Sequence, residues 1–387
     1  MFPDISYIFH YLFGIAPDGA LSIFKTFGLL LVLAILSAAF ILQRELKRKA
    51  KEGLFTPTVR QVNKNAPPTK GEIISNAIWG FVLGFKLPYA FQHIDALKAD
   101  PAGVVFSLQG NWLIGVLAAI ALGGYSYWQK VKKEKLPVEL KQEQVYPHDL
   151  IGQITILAAI YGVIGAKIFA LLEDIPAFLK DPIDSFFSGS GLAIYGGLIG
   201  GFFAVALFLK KKNIPLIHVL DAVAPALILA YGVGRLGCHF AGDGDWGIPN
   251  LHPIPGWWIL PDWLWAYDYP HNVINEGVPM QGCSVRYCRH LAEAVYPTPI
   301  YESIMAFSIF GILMGLRKKL RVPGMLFFVY LMFNGIERFF IEKIRVNIQY
   351  EFAGIHYTQA QFIAVIIFLI GLIGFLVLWR KRPHTDT

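Results

Sequence analysis

One stretch of the sequence runs Tyr231-Gly-Val-Gly-Arg235-Leu-Gly-Cys-His239-Phe-Ala-Gly242-Asp243-Gly-Asp245-Trp246-Gly247. An uncharged apolar run, Ala222 to Val233, leads directly into it. The pattern predicts a helix buried in lipid that brings its polar end to a site. An arginine at membrane depth costs roughly 2.5–3.5 kcal/mol, so it usually has a partner and a function. The glycines would let the backbone approach a ligand closely. The alternative is an arginine that snorkels from a helix end into the headgroups.

The composition indicates a polytopic membrane protein of the all-α class. Of the 387 residues, 55% are hydrophobic and only 16% are charged, whereas about a quarter of the residues in a soluble domain are charged. The net charge of +7 does not indicate a nucleic-acid partner, because the basic residues lie in short clusters between apolar runs. The first residues, Met1 to Asp4, contain no basic residue, so no cleavable signal peptide is expected.

Apolar runs near 20 residues predict about nine transmembrane helices. Their approximate bounds are 21–43, 72–92, 110–128, 150–172, 192–209, 217–236, 300–316, 324–343 and 359–379. Basic clusters follow the first, third, fifth, seventh and ninth of these spans. The clusters are Arg44–Lys49, Lys130–Lys133, Lys210–Lys212, Arg317–Arg321 and Arg380–Arg382. Loops rich in Lys and Arg stay in the cytoplasm, so we expect an outward N-terminus and a cytoplasmic C-terminus.

The longest outward segment predicts a small extracytoplasmic head at 238–299, rich in Pro, Gly and Trp. It separates a membrane body at 1–237 from the last three spans at 300–387. Cys283 and Cys288 lie in the head, on the oxidising side, and are either paired or two free thiols. No Cys-x-x-Cys motif accompanies the nearby His290, so the sequence predicts neither a metal site nor a cofactor.

The spans at 72–128 and 150–209 match each other at a constant offset of 81 residues. Gly84 and Lys86 match Gly165 and Lys167, Asp100-Pro101 matches Asp181-Pro182, and Gly115 matches Gly196. The pattern indicates two duplicated hairpins of the same orientation. The second copy is richer in glycine, at Gly191–Gly201. We therefore expect the second copy to carry function and the first to be scaffold.

Charged residues recur at the outward ends of three spans. Arg338, Glu342 and Arg345 are spaced i, i+4, i+7, so they share one face of a helix. Glu302, near the start of the seventh span, is expected on the side where Arg235 emerges. Two outward arginines beside carboxylates would suit a lipid phosphate, which guanidinium groups bind through two parallel hydrogen bonds. The alternative is an amphipathic helix end that lies in headgroups.

Asp221, at the cytoplasmic start of the sixth span, has two open interpretations. It could cap its own helix after Pro215, or it could pack near the site.

Four stretches, in order, resemble the phosphatidylglycerol–prolipoprotein diacylglyceryl transferase family. They are Gly191–Gly201, Asp221–Gly247 with Gly-Arg-Leu-Gly at its centre, Tyr296–Glu302 and Arg338–Arg345. Weaker similarities lie at Thr26–Leu29 and Thr358–Gln361. The second and third spans are additional to the seven that the family usually has.

The resemblance implies a transferase of the bacterial inner membrane, with its active site toward the periplasm. Such an enzyme moves a diacylglyceryl group from phosphatidylglycerol to the lipobox cysteine thiol of a prolipoprotein signal peptide, forms a thioether and releases glycerol phosphate. Its expected partners are phosphatidylglycerol, the prolipoprotein and membrane lipids. Arg235 and Arg338 would hold the phosphate, and Glu342 would orient Arg338. Asp243 stands where the family usually has Glu. The remaining expected binding residues are Gly196, Gly197, Gly234, Gly237, Glu302 and Arg345.

Three departures from the family pattern concern the proton acceptor and its surroundings. Tyr195 stands where the family has histidine, Cys238 where it has asparagine, and Phe27 where it has tyrosine. A tyrosine, with a pKa of about 10, is a poor base at neutral pH. His239 is therefore the candidate base, alongside Tyr195. The alternative for His239 is a headgroup hydrogen-bond donor.

Two other functions remain open from the sequence. A transporter could use the repeated hairpins for alternating access, and should then carry charged residues at mid-span in both copies. Only Lys86 and Lys167 are candidates, and both lie near outward ends. The second possibility is a homologue that binds lipid without catalysis.

Overall fold

A computed structural model of the chain describes residues 1–173, 175–182, 185, 193–347, 349–352 and 355–381. Gly191 and Arg382, both named above, lie outside these residues, as does residue 192 of the fifth predicted span. The chain divides into two compact units. Unit 1 comprises Met1–Phe55 and Leu209–Thr387, and unit 2 comprises Thr56–Phe208.

Both units are mostly helical. The helices of unit 1 are α1 (Ile5–Phe13), α2 (Thr26–Lys51), α10 (Leu216–Ala241), α11 (Thr298–Leu316), α12 (Met325–Ile341) and α13 (Gln359–Arg380). The helices of unit 2 are α3 (Lys70–Gln92), α4 (Ile94–Ala99), α5 (Pro101–Phe106), α6 (Trp112–Glu134), α7 (Ile151–Glu173), α8 (Ile175–Lys180) and α9 (Ile194–Lys211, which crosses the unit boundary in its last turn).

Seven helices of the described chain are long and apolar enough to cross a membrane. They are Thr26–Lys51, Lys70–Gln92, Pro147–Leu172, Ile194–Lys211, Leu216–Ala241, Thr298–Leu316 and Gln359–Arg380. The prediction of a helical protein with many membrane spans is thereby confirmed. The predicted spans at 110–128 and 324–343 correspond to α6 and the 17-residue α12, which are not among these seven.

Three short antiparallel strand pairs interrupt the helices, so the class is mostly rather than entirely helical. They are β1 (Thr58–Asn63) with β2 (Leu140–Val145), β3 (Val278–Pro279) with β4 (Arg289–His290), and β5 (Gln349–Phe352) with β6 (Ile355–Thr358). The sequence did not predict these strands. In β2, for example, five of six residues are exposed, and without a buried face no apolar alternation marks a strand.

The core of unit 1 lies where α10, α11 and α12 meet. Ile228, Ala306, Ile309, Leu313 and Leu326 form one buried apolar cluster. Small residues bring these helices close together. Ser303 on α11 donates a hydrogen bond to the carbonyl of Gly232 on α10, at 3.0 Å. An added Cβ at Gly335 of α12 would lie 2.7 Å from the Ala364 carbonyl oxygen of α13, so a side chain there would force these helices apart.

The segment that connects α10 to α11 has its own small core. Trp246, Tyr269, Leu291 and Val295 pack together there. Gly242 ends α10 with a left-handed backbone (φ +64°), which turns the chain into this segment. Cys283 and Cys288 form a disulfide bond, so of the two interpretations of these cysteines the pairing is correct.

Unit 2 contains two helical hairpins, α3 with α6 and α7 with α9. Gly84 and Gly165, which are equivalent in the 81-residue repeat, both lie where helices approach closely. An added Cβ on Gly84 would lie 2.6 Å from the Ile114 carbonyl oxygen, and one on Gly165 would lie 3.1 Å from the Gly200 Cα. The duplication itself, and the assignment of function to its second copy, remain predictions.

Asp221 caps the start of a different helix from its own. Its carboxylate accepts hydrogen bonds from the backbone N–H groups of Gly324 (2.8 Å) and Phe327 (3.1 Å), at the beginning of α12. It also pairs with Lys49 of α2 at 3.3 Å. Asp221 is almost fully buried, and so is Lys49. One buried carboxylate therefore connects α2, α10 and α12.

We predict that Asp221→Ala destabilises the protein by about 3–5 kcal/mol, because Lys49 would remain buried without its partner. Thermal unfolding of the purified protein in detergent measures the effect. Asp95→Ala is the matched control, since the Asp95 side chain is 92% exposed. Equal melting temperatures for the two variants would contradict the structural role of Asp221.

Candidate active site

Three helix ends of unit 1 bring the predicted charged residues together. Tyr231 and Arg235 are one turn apart near the end of α10 and therefore share a face. Glu302 lies in the second turn of α11. Arg338 lies in the last turn of α12, which ends at Ile341, and a single 3-10 turn, Glu342–Ile344, then leads to Arg345.

The backbone after α12 is held against the segment after α10, which positions Arg345. The N–H of Ile248 donates to the Ile344 carbonyl at 2.9 Å, and Gly247 pairs with Arg345 in an antiparallel bridge. An added Cβ at Gly247 would lie 2.9 Å from Thr298 Cγ2, so glycine permits this close approach.

Glu302 is the centre of the cluster. Its carboxylate has no solvent exposure and faces three guanidinium groups. The distances are 3.1 Å from Arg235 Nε to Oε2, 3.4 Å from Arg338 Nη1 to Oε1, and 3.3 Å from Arg345 Nη1 to Oε1. A buried charge is tolerated only when it is paired and hydrogen-bonded. The three arginines therefore compensate the buried Glu302 carboxylate, and Glu302 holds them in one place.

Asp245 is the second carboxylate that joins the arginines. It forms an ion pair with Arg235, and its Oδ1 accepts from Arg345 Nη2 at 2.8 Å. Burial alone would raise the pKa of Asp245, but the Arg235 and Arg345 guanidinium groups lower it below its ordinary value. Thr298 Oγ1 donates to the Asp245 backbone carbonyl at 2.9 Å, which fixes the loop at the start of α11.

Asp243, the acidic residue selected from the sequence, faces another neighbour. Its side chain is hydrogen-bonded with Cys238, and burial, followed by the charge of Asp245, raises the pKa of Asp243. Asp245 rather than Asp243 therefore makes the ion pair with Arg235. The role of Asp243 in substrate binding stays a prediction.

Arg338 is the most accessible of the three arginines. Its side chain is 23% exposed, compared with 8% for Arg235 and 10% for Arg345. Glu342, one turn further along, pairs with Arg338 at 2.9 Å. A ligand that approaches the cluster would meet this guanidinium first.

A tyrosine lies between two buried carboxyl groups. The Tyr231 hydroxyl is 3.0 Å from Glu302 Oε1 and 3.3 Å from Glu337 Oε1. Glu337 is 3% exposed. The sequence analysis assigned no role to Tyr231 or Glu337. A signal existed for Tyr231, which precedes Arg235 by four residues on one helical face.

His239 lies in an aromatic pocket at the end of α10. Its ring centroid is 5.6 Å from that of Trp263 and 5.7 Å from that of Tyr269. Its Nδ1 is 3.3 Å from the Tyr269 hydroxyl. His239 is thus a buried residue that joins α10 to the segment before α11.

The predicted glycines fall in both units. Gly237 faces α2, where an added Cβ would lie 3.3 Å from Leu30 and Phe27 side-chain atoms, whereas one at Gly234 would meet nothing within 4 Å. Tyr195, Gly196 and Gly197 lie in the first turn of α9, in unit 2. Gly197 packs against α7, since its added Cβ would be 3.2 Å from the Gly162 carbonyl oxygen.

Cys238, Asp243 and Asp245 place potential ligand atoms for a metal ion within 4.8 Å of one another. The Arg235 guanidinium occupies the same region, with Nη1 3.9 Å from the Cys238 sulfur and an ion pair to Asp245. A cation here would face that positive charge, so the residues favour an anion nearby rather than a metal. The site as a whole offers three guanidinium groups for a phosphate-like ligand.

Comparison with known proteins supports the same conclusion. The family model described as prolipoprotein diacylglyceryl transferase matches residues 104–377. A Clostridium tetani protein named phosphatidylglycerol–prolipoprotein diacylglyceryl transferase is 29% identical over 70% of this chain and 96% of its own length. A Staphylococcus aureus protein of the same name is 34% identical over 58% of this chain and 73% of its own length. The chain therefore belongs to the prolipoprotein diacylglyceryl transferase family.

Proposed function

We propose that this protein transfers the diacylglyceryl group of phosphatidylglycerol to the lipobox cysteine of prolipoproteins, the first step of bacterial lipoprotein maturation. Family membership and the names of both relatives, which specify this donor and this acceptor, support the proposal. The structural observation that carries it is the convergence of Arg235, Arg338 and Arg345 on Glu302. This cluster gathers three guanidinium groups, the side chains that form paired hydrogen bonds with a phosphate.

The proposal includes nine spans in the bacterial inner membrane, with α6 and α12 counted as spans. The basic residues support this count. They lie in the last turns of α2, α6, α9 and α13, and directly after α11. If all five ends are cytoplasmic, then the ends of α10 and α12 that carry Arg235 and Arg338 face the periplasm. The segment at 238–299 is then a periplasmic head, and the active site lies beneath it.

The proposed chemistry replaces a carbon–oxygen bond of the lipid with a carbon–sulfur bond. The cysteine sulfur attacks the glycerol carbon that carries the phosphate, and glycerol phosphate leaves with the bonding electrons. Negative charge therefore grows on the phosphate as the bond breaks. Guanidinium groups fixed in advance in a buried site stabilise such charge better than mobile water does.

The thiol proton needs an acceptor, and His239 and Tyr195 are the two candidates from the sequence. We propose His239, because a neutral imidazole has a ring nitrogen with a free lone pair that can accept a proton, whereas a neutral phenol is a poor acceptor. In the tautomer whose Nδ1–H donates to the Tyr269 hydroxyl, at 3.3 Å, Nε2 is the accepting atom.

The direct test is incubation of the purified protein with phosphatidylglycerol and a synthetic lipobox peptide. The peptide should gain the mass of one diacylglyceryl group on its cysteine, as measured by mass spectrometry. A peptide with serine in place of the cysteine, and vesicles of phosphatidylcholine alone, are the controls. No mass gain with phosphatidylglycerol would reject the transferase and favour a homologue that only binds lipid.

Arg235→Ala should lower the transfer rate at least about 100-fold, because one preorganised donor to the developing charge is removed. The Arg235→Lys variant should also transfer more slowly, because lysine keeps the positive charge but cannot make the bidentate hydrogen bonds of a guanidinium group. Initial rates in the peptide assay measure both effects. Arg321→Ala, which changes an exposed arginine outside the cluster, is the control. Transfer at the wild-type rate by folded Arg235→Ala protein would contradict the assigned role.

Asp245→Asn should reduce transfer roughly 10- to 100-fold, because a charge-assisted hydrogen bond to two arginines is lost. Asp243→Asn should reduce the transfer rate by a smaller factor, because the Asp243 side chain is hydrogen-bonded with Cys238 rather than with an arginine. The ratio of the two rates decides which aspartate orients Arg235. A larger loss in Asp243→Asn would assign that role to Asp243 instead.

His239→Gln should remove the acidic limb of the pH profile of kcat/KM, because the variant has no imidazole to titrate. Tyr195→Phe should change kcat/KM only in size: any loss should be the same at every pH, so the shape of the pH profile should not change. Rates measured across the pH range test both variants. The reverse result, an altered profile only in Tyr195→Phe, would identify Tyr195 as the proton acceptor.

A further inference from the structure

The proposed phosphate site presents a problem, because its arginines are already paired. Arg235, Arg338 and Arg345 are matched by the three carboxylates Glu302, Asp245 and Glu342. An approaching phosphate would therefore meet a neutral cluster with a buried negative charge at its centre. Some of that negative charge must move away before the guanidinium groups can bind the phosphate strongly.

The hydrogen bonds around Tyr231 assign a proton to Glu337. The Tyr231 hydroxyl lies within hydrogen-bond distance of Glu302 (3.0 Å) and Glu337 (3.3 Å), yet it has only one proton to donate. Two ionised carboxylates would leave one buried acceptor without a donor. Both contacts are satisfied if the Glu337 carboxyl group donates to the tyrosine oxygen and the tyrosine donates to Glu302.

Charge balance among the groups that contact one another directly supports the same assignment. With Glu337 neutral, three guanidinium groups face three carboxylates. With Glu337 ionised, the buried cluster would carry an extra negative charge, which is costly in a low-dielectric interior.

The other groups around Glu337 leave this assignment in place. Arg235 of α10 and Arg338 of its own helix lie near it, together with Tyr231, Glu302 and Tyr330. Both arginines are engaged by other carboxylates at 3.4 Å or less. The neighbouring α13 brings no titratable side chain before Arg380.

We infer that Glu337, Tyr231 and Glu302 form a proton relay that transfers negative charge out of the arginine cluster when the lipid phosphate binds. Two protons move together. The Glu337 proton passes to the Tyr231 oxygen, and the Tyr231 proton passes to Glu302. Glu337 becomes a carboxylate, Glu302 becomes a neutral acid, and Tyr231 stays a phenol, so no outside reagent is required. The charge that faced three guanidinium groups then lies on the far side of Tyr231.

Glu337 and Tyr231 are positioning residues in this scheme, because they act through Glu302 rather than on the substrate. The relay rests on the proposed function for its phosphate ligand. It adds a device that keeps the cluster neutral and stable at rest, and makes it attractive to phosphate only when phosphate is present.

Infrared spectroscopy tests the resting state without any transfer reaction. The wild-type protein should have a carbonyl stretching band of a protonated carboxylic acid that is absent from the Glu337→Gln variant. If the variant loses no such band, Glu337 is ionised at rest and the relay is overturned.

Lipid binding tests the relay itself, with nanodiscs of phosphatidylglycerol in phosphatidylcholine and no acceptor peptide. Glu337→Gln and Tyr231→Phe should each weaken binding roughly 10- to 100-fold, the range expected from a lost hydrogen bond to a charged group. The double variant should be no weaker than either single one, because both break one chain of proton transfer. Tyr330→Phe, a buried tyrosine near Glu337 with no place in the relay, is the matched control.

Wild-type affinity in either single variant, or additive losses in the double variant, would overturn the relay. If Glu337→Gln does not accumulate, Tyr231→Phe alone carries the test, since its ring still fills the same space. A wild-type protein that binds phosphatidylglycerol but transfers nothing would reject the proposed function, and the binding comparison would still decide the relay.

Discussion

A single carboxylate with no solvent exposure, Glu302, constrains the structure of unit 1 around the candidate site. In a low-dielectric interior an unpaired ion costs several kcal/mol, so neither Glu302 nor its arginines could be buried alone. Their mutual pairing at 3.1–3.4 Å forces the ends of α10, α11 and α12 to meet. The bridge between Gly247 and Arg345, and the position of Asp245 beside two arginines, follow from the same requirement.

The same pairing explains how a stable site can also be a reactive one. Arginines that bind a lipid phosphate must be buried enough to act strongly and must not repel one another when the ligand is absent. Glu302 and Asp245 meet the second condition, and the partial exposure of Arg338 offers a point of entry for the ligand. At the other end of unit 1, Asp221 fixes the start of α12 through two backbone hydrogen bonds. The helix that carries Arg338 is thus anchored at both ends.

Helical spacing predicted much of this cluster. The i, i+4 spacing places Glu342 beside Arg338, and Arg235 is marked by the uncharged run before it. Arg345 lies beyond the end of the helix, so the prediction that it shares the same helical face is wrong; the bridge with Gly247 brings it to the cluster. The pairing of Asp245 with two arginines was not predicted, because it depends on the path of a loop with left-handed backbone at Gly242 and Gly244. These backbone angles have no periodic signature.

Contacts between distant segments could not be predicted from the sequence either, because they also leave no periodic pattern in it. Glu337 is a charged residue next to an arginine, and spacing alone suggests an exposed ion pair rather than a buried acid against Tyr231 of another helix. From the sequence, Asp221 could equally well cap its own helix. Its observed contact with the Gly324 N–H depends on how the helices pack, which the sequence does not indicate. Strand β2 was not predicted because five of its six residues are exposed, so it has no apolar alternation.

The most direct measurement of the central claim is an experimental structure of the protein with phosphatidylglycerol in a nanodisc. The account predicts that the lipid phosphate lies within hydrogen-bond distance of the Arg235 and Arg338 guanidinium groups. A bound headgroup located elsewhere, with both arginines still directed at Glu302, would contradict it.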